Sequence, residues 1–108
     1  MDSTAVIAAL KHHEAELREL GIVRLSIFGS TARAEASEDS DVDLAVTLTE
    51  GPRGFDRLER RDRIKARLSR ILRRRVDLIE EPSSSPRVQA EIDRDRVKAL
   101  ASLDAKGT

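Results

Sequence analysis

The spacing of apolar residues switches repeatedly between a helical period and a period of two along this chain, and that alternation decides which folds are open to it. Val6, Leu10, His13, Leu17 and Leu20 recur four and three apart, predicting a helix that Ser3 or Thr4 can cap and Gly21 can stop. From Ile22 to Phe28 the period drops to two, with Val23, Leu25 and Ile27 sharing one face of a strand. A short helical turn of small residues, Thr31 to Ala36, and a polar loop lead to a second strand, Asp41 to Thr47. Its Val42, Leu44 and Val46 point one way and its Asp41, Asp43 and Ala45 the other. Beyond the loop at Glu50–Gly54, helical spacing returns through Phe55, Leu58, Ile64, Leu68 and Ile71 with the arginines mainly outward. Val76 to Ile79 reads as a third strand, and the loop Pro82–Pro86 as the entry to a short helix through Val88 and Ile92. Val97 to Leu100 fits either a fourth, edge strand after an Arg94–Arg96 turn or a continuation of that helix. Elements in this order predict an α+β (mixed α/β) domain, a small mixed β-sheet with helices packed on it.

A chain of 108 residues is expected to build one core, here a single domain over 1–104 with 105–108 as a disordered tail. No apolar run approaches the ~20 residues that span a bilayer, and Met1-Asp2-Ser3-Thr4 lacks the basic and apolar regions of a secretory signal. With no cysteine for disulfides or thiolate metal sites, a cytoplasmic protein away from membranes is expected. The net charge of zero hides an uneven distribution. Residues 53–75 carry eleven bases against three acids, while residues 1–52 carry four bases against ten acids. Phe28 and Phe55 are the only aromatic residues, so stacking platforms for single-stranded nucleic acid are absent. The basic segment is therefore read as contacting an acidic protein surface or nucleotide phosphates, and nucleic acid is not an expected partner.

The candidate chemistry lies around the second strand. Asp41 and Asp43, two apart on a strand, leave the same face with Cα atoms about 7 Å apart, close enough to converge on one hard cation. Alone, such a pair is more often two solvated residues on the polar face of a sheet. Gly29-Ser30, however, sits where a strand turns into a helix, a place where backbone N–H groups favour a phosphate. Asp77, set among core-type residues in Arg75-Val76-Asp77-Leu78-Ile79, adds a third carboxylate that would be expensive to bury unpaired. Either it lies on the wet face of an edge strand, or it joins the other two in a cluster that a divalent cation neutralises. A phosphate cradle with three such acids describes metal-assisted transfer from a nucleoside triphosphate. His12 and His13 point roughly 100° apart on a helix and have no histidine or cysteine to complete a site.

Gly29-Ser30, ten residues, then Asp41-Val42-Asp43 resembles the GS-x10-DxD signature of the DNA polymerase β-like nucleotidyltransferases. By chance the four fixed positions at this spacing arise in about one chain of this length per thousand. The fuller strings Phe28-Gly29-Ser30-Thr31-Ala32-Arg33-Ala34-Glu35-Ala36 and Ser40-Asp41-Val42-Asp43-Leu44 are similar to the family's minimal nucleotidyltransferase branch. The resemblance implies a polymerase β palm-like fold, with Mg²⁺ held by Asp41, Asp43 and Asp77. It also implies a triphosphate, ATP in the first instance, gripped by Gly29, Ser30, Arg33 and Ser40, and an acceptor hydroxyl activated by Asp77. It further implies the antitoxin half of a HEPN/MNT toxin–antitoxin module, which moves adenylyl groups onto a tyrosine of its HEPN-type toxin and leaves self-association open. A transferase acting on a small molecule and an antitoxin that only covers its toxin are the rival expectations. The first normally needs an acceptor-binding domain, and the second would tolerate decay of the acids. In one place the sequence departs from the family, which usually has glycine after the arginine where Ala34 stands. Alanine suits a short helix and not a left-handed turn.

Overall fold

The computed structural model describes residues 2–37, 39–50 and 55–101, with the side chains of Phe55 and Asp56 outside that description. The expected loop at 51–54 and the tail at 105–108 also lie outside the described residues.

The first apolar stripe folds as two helices, α1 (Ser3–His12) and α2 (Glu14–Glu19), instead of one. They part at His13, whose φ of −104° and ψ of 18° leave the helical region while its N–H donates to the Leu10 carbonyl at 3.1 Å. Spacing survives such a break, so Val6, Leu10 and Leu17 still reach one core. The cap is Asp2, one residue ahead of the expected Ser3 or Thr4. Its carboxylate accepts the Ala5 N–H at 2.9 Å and places negative charge at the positive end of the helix. Gly21, at φ +102°, ends α2 as expected.

β1 (Ile22–Phe28) follows, with a bulge between Ile22 and Arg24 in its pairing to β2 (Val42–Leu48). The bulge exchanges faces at the start of the strand. Ile22, and not Val23, therefore joins Leu25 and Ile27 in the core. α3 is a single turn, Gly29–Ala32, starting two residues earlier than the spacing predicts. It ends when the Ala34 N–H donates to the Thr31 carbonyl (3.2 Å) and the Glu35 N–H to that of Ser30 (2.8 Å), the paired bonds of a Schellman cap. Ala34 consequently sits at φ +62°, where a Cβ is penalised. Ala34→Gly should raise stability by about 0.5–1 kcal/mol, a gain of about 2–6 °C in the melting midpoint read by circular dichroism.

α4 (Phe55–Leu72) carries the chain from β2 to β3 (Val76–Glu80), which lies parallel to β2. α5 (Pro86–Asp95) is capped by the Ser85 hydroxyl, which accepts the Val88 N–H at 3.3 Å. β4 (Val97–Leu100) then pairs antiparallel with β1 and settles the ambiguous end as an edge strand. The sheet order is β3-β2-β1-β4. Period-two alternation gives this sheet two unlike faces. Leu25, Ile27, Val42, Leu44, Val46, Val76 and Leu78 face α1, α2 and α4, whose Ile64, Leu68 and Leu72 complete the main core. Leu58 is the exception to the predicted stripe, being 55% exposed. The other face is only partly covered, by α5, where Phe28, Ala45 and Ile92 form a second, smaller core. That face holds the candidate chemistry. Among the described residues no helix is long and apolar enough to cross a membrane.

Candidate active site

Asp43 is the hub of the partly covered face. It stands next to Phe28 of β1 on one side and to Asp77 of β3 on the other, in register with both. Neighbouring strands lie about 4.8 Å apart and register partners share a face, so the Asp43 and Asp77 carboxylates leave the sheet side by side. β3 is the outer strand and Asp77 is exposed, while Asp43 is half-buried. The glycine at the end of β1 makes room for this arrangement. Gly29 has φ +73°, and a Cβ built on it would lie 2.1 Å from Asp43 Oδ2. The two expectations, a glycine for a tight turn and a carboxylate on the next strand, are thus one contact.

Burial comes first in pushing the Asp43 carboxyl up to about 6, followed by the negative charges of Asp77, Glu91 and Asp41, with Arg33 opposing them. Glu91, from α5, enters this field with no signal in the local sequence. Asp41 lies just ahead of β2, where its Oδ1 forms an ion pair with Arg75 Nε at 3.0 Å. With that guanidinium holding it, the three acids are not drawn into a ready-made cage. Among the described residues no group of three or more histidine, cysteine, aspartate or glutamate side chains has metal-site spacing.

The other expected site residues surround this hub. Ser30 follows Gly29 in the single turn of α3, and its carbonyl is taken up by the Glu35 N–H. Arg33 is clamped from outside, with Nε on Glu35 at 2.9 Å and a terminal nitrogen on Asp95 at 2.6 Å. Asp95 is itself held at about 2, chiefly by hydrogen bonds from Arg94 and Arg33. Ser40 serves the loop before β2: its hydroxyl accepts the Ser37 N–H at 3.0 Å and its carbonyl accepts from Arg74 at 2.8 Å. His13 faces Glu16 at 3.4 Å and His12 is exposed, so both belong to the α1–α2 junction.

An acid whose carboxyl is raised in the folded state binds its proton more tightly there than in the unfolded chain. Between the ordinary value of 3.8 and about 6 the folded state holds the extra proton, so stability falls as pH rises through that window. In metal-free buffer, Asp43→Asn should therefore raise the melting midpoint at pH 8 and leave it nearly unchanged at pH 4, where the native acid is already protonated. Equal shifts at both pH values would show that Asp43 carries no such strain.

Comparison with known proteins identifies the family of this fold. Residues 10–100 match the nucleotidyltransferase domain family. The protein adenylyltransferase MntA of Thermococcus cleftensis is 40% identical over 75 residues, covering 68% of this chain and 72% of that protein. A solved structure of a minimal nucleotidyltransferase superposes with a TM-score of 0.72 at 35% identity, over 90% of this chain and 95% of the other. The fold also recurs, at 16% identity and a TM-score of 0.56, over 90% of this chain and 76% of the matched chain, in the structure of a tri-AMPylated Shewanella oneidensis HEPN toxin in complex with MNT antitoxin. The chain belongs to the nucleotidyltransferase domain family, in its minimal form.

Proposed function

We propose that this protein transfers AMP from ATP, as its Mg²⁺ complex, onto a hydroxyl of a HEPN-type partner protein, and acts in this way as an antitoxin. The observation that carries the reading is the Asp43–Asp77 register pair, pressed against Gly29, with Asp43 raised to about 6. A half-buried carboxylate beside other carboxylates costs stability and gives none back in the bare protein, so its worth lies in what it binds. An all-carboxylate donor set of Asp41, Asp43 and Asp77 fits a hard divalent cation. Bound there, Mg²⁺ supplies neutralisation of phosphate charge and of the departing pyrophosphate.

The chain's own groups account for the remaining steps. Gly29 and Ser30 take the triphosphate where the backbone can be approached closely. Arg33, fixed by Asp95, adds positive charge near Asp43, and Ser40 sets the loop that carries Asp41. The Asp77 carboxylate accepts the proton of the acceptor hydroxyl as the new oxygen–phosphorus bond forms and the bond to pyrophosphate breaks. Asp77 is suited to this role because it is the exposed member of the pair, on the outer strand. A protein acceptor is favoured by the naming of the Thermococcus relative as a protein adenylyltransferase.

The test incubates the purified chain with its co-encoded partner, ATP and Mg²⁺, and reads added AMP on the partner by intact-mass spectrometry. If no nucleotide yields an adduct while the partner is still neutralised by stable binding, the protein only covers its partner.

A further inference from the structure

Helix α4 carries more positive charge than its own domain answers. Arg57 pairs with Glu80, Arg60 donates to the Thr49 hydroxyl at 2.6 Å, and Arg67 donates to Glu16 at 3.0 Å. Arg63, Arg70 and, past the helix end, Arg73 meet no carboxylate among the described residues. Arg63, Arg67 and Arg70 are spaced four and three apart and so share one flank of the helix. With Ala66 between them they line an open groove of about 300 Å³. Lys65 lies on the other flank, about 200° round from Arg63. Past the helix end, about 14 Å beyond Arg63 at 1.5 Å per residue, lies a second cavity. Its volume is about 410 Å³, and Arg73, Arg74 and Arg75 line it with Asp39 and Ser40. Arg75 is the residue that holds Asp41, so the cationic flank ends at the rim of the candidate active site.

The surface chooses among anions by what accompanies the charge. Nucleic-acid grooves pair arginines with stacking rings. Phe28 is buried, the chain has neither tyrosine nor tryptophan, and Phe55 stands eight residues ahead of Arg63, at the opposite end of α4. Guanidinium forks spaced by whole helical turns instead match carboxylates at the same intervals on a facing helix. The small side chain of Ala66 leaves room for such a helix to come close between the arginines. We infer that Arg63, Arg70 and Arg73 dock an acidic helical face of the protein that receives the adenylyl group, with carboxylates at i, i+7 and i+10, and so present its hydroxyl to the Asp41 end of the sheet. The inference rests on the proposed function only for the acceptor being a protein.

The test uses the full chain without nucleotide, so binding is read independently of whether AMP is transferred. Three labelled probes are titrated by fluorescence anisotropy: a 14-residue helical peptide with glutamates at that spacing, its glutamine counterpart, and a single-stranded RNA of 14 nucleotides. The glutamate peptide should bind at 50 mM salt and the glutamine peptide should not. Combining Arg63→Glu, Arg70→Glu and Arg73→Glu should weaken the glutamate peptide by at least about tenfold, whereas Lys65→Glu should change it by less than about threefold. Circular dichroism confirms that both variants are folded, and Asp43→Asn should retain peptide binding. No binding of the glutamate peptide by wild type, or equal binding by the triple variant, overturns the inference. RNA bound more tightly than the peptide, and lost in the triple variant, assigns the flank to nucleic acid instead.

Discussion

Asp43→Asn should abolish AMP transfer, lowering the rate by on the order of 10³-fold or more, because the substitution removes charge where it is needed only while pyrophosphate departs. Asp41→Asn should do the same, since the proposed donor set includes both acids and such groups act as a unit. Asp77→Asn should behave differently, slowing transfer while leaving binding of ATP and Mg²⁺ partly intact, as befits a group that acts on the acceptor hydroxyl. Single-turnover transfer of radiolabelled AMP, alongside calorimetric binding of ATP with Mg²⁺, separates the two patterns. Three solvated sheet carboxylates would predict small stability changes and nothing else. The metal-free melting experiment sharpens the contrast, because the variant that loses transfer should be the more stable protein at pH 8. Gain of stability with loss of function is the mark of a residue kept for what it binds.

The parts of this fold that depend on local spacing were legible before any coordinates. β1, α4, β3 and α5 begin and end within a few residues of their predicted limits, and the face that Val42, Leu44 and Val46 turn to the core is the one alternation assigns. What escaped depends on partners distant in sequence or on single backbone angles. Periodicity passes through the break at His13 unchanged, since Leu10 and Leu17 keep their spacing on either side. The bulge at Ile22–Arg24 is a property of pairing with β2, and nothing in Ile22-Val23-Arg24 announces it. The same holds in the site. Gly29, Asp41, Asp43 and Asp77 were readable as residue types at meaningful intervals. The Arg75 grip on Asp41, the Asp95 grip on Arg33 and the approach of Glu91 arise only when β3 and α5 fold back beside β2 and α3. At Ala34 the expectation fails: alanine suits the short helix that the spacing extends to Ala36, yet α3 stops at Ala32 and its cap puts Ala34 in a left-handed turn.

Gly29→Ala should cost both stability and activity, and comparison with a second glycine separates the two losses. At φ +73° an added Cβ is strained whatever surrounds it, and here it would also meet Asp43 Oδ2 at 2.1 Å and Cγ at 3.0 Å. Asp43 has a short side chain, so relief requires the carboxylate to swing away from its position beside Asp77 or the turn into α3 to open. Either movement spoils the donor set while leaving every acid in the sequence. The expected loss is about 1–3 kcal/mol of stability, together with binding of ATP and Mg²⁺. Gly21→Ala is the control. It carries comparable backbone strain at φ +102°, but its Cβ would meet the tip of Arg60, a long side chain able to move aside, and it ends a helix that takes no part in the site. Gly21→Ala should therefore lower the melting midpoint to a similar degree and still transfer AMP at a temperature where it is folded. If Gly29→Ala, folded at that same temperature, binds ATP and Mg²⁺ like wild type, the close packing of Gly29 against Asp43 serves only the turn, and the donor set must be built some other way.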